Sequence, residues 1–152
     1  MTVDEFLAFA ERARGWQVLK RGGEPPLAAA PRDLARFLGR CGGVVTHADV
    51  AVGARVVPAQ EAILGKRYDD DRSAHWFVIA EDDDSSTALR AVIDLDPRRL
   101  GRVYDGFWDR FGVAGSMPVV ALSFTDFLAR LAESSGEPFW AGDDLGLGDA
   151  YD

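Results

Sequence analysis

Trp76-Phe77-Val78-Ile79-Ala80 is the stretch whose reading decides the fold. It is a short apolar run, rich in aromatic and β-branched side chains, with a charged turn at Lys66 to Ser73 before it and the acid and hydroxyl residues Glu81 to Thr87 after it. Such a run reads as a strand between two turns. Working outward, Ala88 to Leu95 makes a second strand, Val103-Tyr104 a third after Gly101, and Pro118 to Leu122 a short further one. On the N-terminal side Val44-Val45, Val50 to Val52 and Val56-Val57 are β-branched but interrupted by Gly53 and Pro58. They read as short strands, with a turn of helix near Pro58 to Leu64. Short loops between consecutive strands predict an antiparallel meander.

Helices flank these strands. Thr2 stands three residues before Glu5, the spacing of a reciprocal capping box, and Phe6, Phe9, Ala10 and Ala13 keep one helical face up to Gly15, so a helix spans about residues 2 to 14. Residues 21 to 30, with Gly22-Gly23 and Pro25-Pro26, favour a loop. Pro31 suits the first position of a second helix over about residues 31 to 41, whose stripe is Leu34, Phe37, Leu38 and Cys41 before Gly42-Gly43. Ser123 caps a third, with Asp126 three residues on and Phe124, Phe127, Leu128 and Leu131 facing inward up to Gly136. The fold class is α+β, a single domain with a mixed or mainly antiparallel sheet flanked by helices. The domain takes residues 1–140, and residues 141–152 form an acidic Gly/Asp-rich C-terminal tail. Its glycines Gly142, Gly146 and Gly148 make it flexible, while Phe139-Trp140 docks its start. The core is expected to set the helix stripes against Trp76 to Ala80, with Trp76 or Trp108 buried.

Composition narrows the function. The 152 residues are 47% hydrophobic, enough for one packed core without staples. Net charge is −8, which opposes nonspecific attraction to a phosphate backbone and favours a cationic or neutral partner. The acidic start Met1-Thr2-Val3-Asp4-Glu5 is unlike a secretory signal, and the longest uncharged run, Phe111 to Thr125, is broken by glycines and Pro118. With Cys41 as the single cysteine, the expectation is a cytoplasmic protein that binds neither membrane nor nucleic acid.

Chemistry is sparse. Asp94-Leu95-Asp96 alternates so that both carboxylates share one side of a strand, where two oxygens suit Mg²⁺ or Mn²⁺. Pro97 ends the strand at once and no third ligand is near, so the expectation is a strand end with solvated or turn-capping acids. His47 and His75 stand isolated, and Cys41 lies on an apolar stripe as a small buried hydrophobe. No catalytic residue, metal site or cofactor is expected. The aromatics Trp76, Phe107, Trp108, Phe111, Phe124 and Phe127 read mainly as packing residues. Seven acids, Asp69, Asp70, Asp71, Glu81, Asp82, Asp83 and Asp84, face only Arg72 within residues 69 to 84. Crowded like charges raise the local potential and steer a cationic partner, so these seven form the candidate partner-binding surface.

The order of segments resembles the SMI1/KNR4 family, the SUKH superfamily. Pro31-Arg32-Asp33-Leu34-Ala35-Arg36-Phe37-Leu38 with Gly42-Gly43 is similar to its opening helix and diglycine. His75 to Glu81 is similar to its signature strand and Ala91-Val92-Ile93-Asp94-Leu95-Asp96 to the next. Gly101 to Asp105, Phe107-Trp108-Asp109 and Val120 to Leu128 continue in the family's order, over about residues 28 to 140. The resemblance implies a sheet flanked by helices without catalytic apparatus. It also implies an immunity protein that neutralises a cognate polymorphic toxin domain, frequently a nuclease, by direct binding. A regulatory adaptor with no toxin partner is the alternative it carries.

Overall fold

The computed structural model describes residues 1–23, 27–46, 53–61, 71–82, 89–142 and 144–152. Helix α1 (Val3–Arg12) and strand β1 (Trp16–Leu19) precede helix α2 (Arg32–Arg40). Strands β2 (Gly43–Thr46), β3 (Ala54–Glu61), β4 (Trp76–Asp82), β5 (Arg90–Asp94), β6 (Val103–Asp105) and β7 (Val119–Ala121) follow, then helix α3 (Phe124–Glu133). Among the described residues the strands form one antiparallel sheet in sequence order, the meander that the loop spacing predicts.

Local chemistry sets the helix ends. The Thr2 hydroxyl accepts from Glu5 N at 3.1 Å while Glu5 accepts from Thr2 N at 2.9 Å, completing the capping box. Ser123 Oγ likewise accepts from Asp126 N at 3.0 Å. Pro31 stands one position earlier than expected, at the N-cap of α2, where its extended backbone precedes the first turn. Cys41 ends that helix, buried, with Sγ 3.6 Å from Phe37 O.

Alternation along the strands gives the sheet two different faces. One face carries Val44, Val56, Ile79, Ala91, Ile93 and Val103 against Phe6, Leu34, Phe37, Phe127 and Leu131 of the three helices. The other carries Trp76, Val92, Tyr104 and Val119, covered by Phe111, Met117 and Ala150. Trp76 is buried as expected, but on the face away from the helices, so β4 offers them Ile79 and Ala80, with Phe77 partly buried beside these.

Three expectations are corrected and one strand is added. Pro58 belongs to β3 rather than to a helical turn, because a register irregularity between Val56 and Gln60 makes room for a residue that cannot donate to the ladder. Residues 62 to 64 of that expected turn lie outside the described residues, as does the stretch Val50 to Val52. β4 continues through Glu81 and Asp82, which therefore leave the turn. Trp16 to Leu19 pairs with β2 as a further strand. The segment after residue 140 is not a loose tail: Val119 N donates to Gly148 O and Ala150 N to Met117 O, so its end lies along β7.

Candidate functional site

The carboxylate pair is the feature closest to catalytic chemistry. Asp94 is fully buried at the end of β5, and its Oδ2 accepts from Tyr104 Oη at 2.6 Å, Arg99 Nε at 3.0 Å and Trp76 Nε1 at 3.3 Å. Its Oδ1 takes Asp96 N at 2.9 Å. Asp96 lies beyond the strand and is held by the Arg98 side chain and backbone, and by Arg99 at 2.8 Å. The Arg98 hydrogen bonds, side chain first and then backbone, hold the Asp96 carboxyl far below its ordinary range. Burial and the hydrogen bond to Asp94 push the Tyr104 hydroxyl well above its own. Asp94 is thus neither solvated nor available, and Arg99, which the sequence reading left out, joins the two acids. Among the described residues no group of three His, Cys, Asp or Glu is placed to hold a metal ion. His75 is exposed in a short turn, and His47 lies outside the described residues. Burial pushes the Cys41 thiol up, away from thiolate character.

The seven candidate acids take different positions. Asp69, Asp70, Asp83 and Asp84 lie outside the described residues. Asp71 is exposed. Glu81 is half-exposed, 3.9 Å from Arg55 across the β3–β4 register, a pair of little energetic weight at a surface. Asp82 is buried: its N donates to Leu89 O and its Oδ1 accepts from Leu89 N at 3.2 Å, which closes the β4–β5 hairpin.

Asp71 has unexpected neighbours. The adjoining Arg72 guanidinium donates to Ala150 O at 3.1 Å and Asp152 O at 2.9 Å, which brings the acidic C-terminal residues beside it. Asp149 in turn accepts from Gly115 N at 3.0 Å and Met117 N at 2.8 Å, fixing the loop between β6 and β7. The sequence keeps these three segments apart, and the second face of the sheet gathers them. On the β6–β7 loop Phe111 is buried edge-on to Trp76, whereas Trp108, read as a packing residue, is 51% exposed. Its neighbour Phe107 is half-buried, with the Arg110 guanidinium 5.5 Å above its ring. Core spacing failed here because a loop imposes no periodicity on its side chains.

No helix among the described residues is long and apolar enough to cross a membrane. No protein-family model matches the chain, and no solved structure matches it. The chain is 35% identical over 130 residues to immunity protein YokJ of Bacillus subtilis (strain 168), an alignment that covers 80% of this chain and 77% of the relative. On that likeness the chain belongs to the family of immunity protein YokJ.

Proposed function

We propose that this chain is an immunity protein of the SMI1/KNR4 type, acting in the cytoplasm by stoichiometric binding of a cognate toxin domain with no catalysis of its own. The 35% identity to immunity protein YokJ carries the reading. The order of segments quoted above supports the superfamily, and the α+β meander is compatible with it. A binding role also agrees with the carboxylate pair, which is committed to Arg98, Arg99 and Tyr104 rather than open to a substrate. A net charge of −8 favours a cationic partner surface such as a nuclease presents to nucleic acid. Asp69, Asp70, Asp71, Glu81, Asp83 and Asp84 remain the candidate acids for steering it, whereas Asp82 is buried and its carboxylate accepts from Leu89 N.

Co-expression with the toxin domain encoded by the neighbouring gene tests the reading. Growth rescued by the chain, together with a 1:1 complex that lacks toxin activity, is the expected result. Unrelieved growth arrest and no complex between the purified proteins would overturn it.

A further inference from the structure

We propose, resting on the immunity reading, that the β6–β7 loop and the C-terminal residues beside it form the toxin-docking surface, with Trp108 entering an apolar pocket on a cationic face of the toxin. The first support is the contrast between a rigid loop and an exposed ring. Phe107 N donates to Asp105 Oδ1 at 3.0 Å and Arg110 to Asp105 Oδ2 at 3.0 Å. Gly106 N donates to Arg90 O, and Asp149 takes two further N–H groups at the far end of the loop. Phe111 anchors the middle against Trp76. Ordering entropy is thus already lost in the free protein, which is the condition under which an exposed aromatic gives affinity rather than spending it on loop ordering. Tryptophan is also among the residues most enriched in binding hot spots.

The second support is charge. Asp109 stands next to Trp108 and is exposed, and Asp71 and Asp152 are exposed where Arg72 ties its segment to the C-terminus, which in turn holds the loop through Asp149. Of the described cations there, Arg110 pairs with Asp105, Arg72 donates to the Ala150 and Asp152 carbonyls, and Arg90 stands opposite Glu81 in the β4–β5 register. An apolar ring next to an exposed acid, on a loop that the acidic C-terminal segment holds, fits a basic surface with a pocket in it. Leu122, 54% exposed, lies at the opposite end of the β6–β7 hairpin, where its N donates to Asp126 Oδ2 at 3.0 Å. It is away from the loop and supplies a matched apolar control.

The experiment is surface plasmon resonance against the toxin domain encoded by the neighbouring gene, with wild type, Trp108→Ala, Asp109→Asn and Leu122→Ala. Trp108→Ala should weaken binding roughly thirtyfold or more, mainly through faster dissociation, as expected of a hot-spot residue. Asp109→Asn should slow association at low salt, and Leu122→Ala should bind within about twofold of wild type, the behaviour of a residue outside the contact. Wild-type affinity in Trp108→Ala, with the wild type itself binding, overturns this surface and leaves the immunity reading standing. Failure of the wild type to bind overturns that reading and this surface with it.

Discussion

The Tyr104 hydroxyl donates to the Asp94 carboxylate over 2.6 Å inside the second layer of the core, and Arg99 reaches the same oxygen from beyond the strand. This geometry makes the pair a buried, charge-assisted network rather than an open cation site. Because Asp94 and Arg99 are both desolvated, removing one leaves the other charged without its partner.

Asp94→Ala is therefore expected to destabilise by roughly 3 to 5 kcal/mol, the cost of breaking a buried ion pair from one side. Tyr104→Phe removes one hydrogen bond to a charged group and should cost about 1.5 to 3 kcal/mol. Urea unfolding measures both. A near-neutral Asp94→Ala combined with calorimetric binding of Mg²⁺ to the wild type would return the pair to metal chemistry.

Trp76 and Trp108 should separate in the melting curve. Trp76 touches Tyr104, Phe111 and Tyr151 edge-on, so Trp76→Ala opens a cavity worth about 3 to 5 kcal/mol, or roughly 10 °C in a domain of this size. Trp108→Ala should leave the melting temperature within about 2 °C, since an exposed side chain carries little of the core. A large drop for Trp108→Ala would mean that its ring supports the loop, against the docking role.

Where a side chain's periodicity and its burial coincide, the sequence was sufficient. Thr2 with Glu5 and the Phe124 to Leu131 stripe behave as their spacing says, and the Trp76 run is a strand, although a register shift between Val78 and Ala80 turns both Ile79 and Ala80 to the helices. What escaped it depended on distant partners. Trp16 to Leu19 becomes a strand because β2 offers it a ladder, and Ala150 is buried with its N donating to Met117 O and its carbonyl accepting from Arg72. For the proposed docking surface the sequence offered charge but no place. Asp71 and Asp152 are remote in the chain, and Asp82 reads like its neighbours although its carboxylate closes a hairpin.

Acid should act on two carboxylates in opposite directions. Asp96 is held below its ordinary 3.8 by hydrogen bonds from Arg98, so its contribution is complete above that value and is lost as pH falls below it toward the folded pKa. Asp105 is raised above 3.8, by burial first, against the lowering pull of Phe107 N and Arg110. Its ionised form therefore costs stability near neutrality, and the cost is relieved as pH falls through the raised value. Urea unfolding from pH 7 down to about pH 2, across the range where the unfolded carboxyl takes up a proton before the folded one, should show the loss below 3.8 diminished in Asp96→Asn. Asp105→Asn should lack the gain above 3.8. An Asp105→Asn profile parallel to wild type above that value would contradict the assignment.

The acidic run offers a last separation, between charge that steers and charge that builds. Asp71 is exposed, whereas Asp82 is buried with its Oδ1 on Leu89 N. Neutralising both groups together would mix association with folding, so they are better changed apart. In Asp69→Asn, Asp70→Asn, Asp71→Asn, association with the neighbouring toxin domain should slow severalfold at 0.1 M salt, where the Debye length is about 10 Å. The difference should vanish near 1 M, where it is about 3 Å, with dissociation unchanged at both. Asp82→Asn should keep the wild-type association rate and salt slope, yet melt lower, because an amide places an N–H₂ or a weaker acceptor against Leu89 N. Stopped-flow association across the salt series decides. Wild-type rates in the triple variant would take residues 69 to 71 out of the steering surface, and an altered salt slope in Asp82→Asn would show that the buried carboxylate reaches the partner after all.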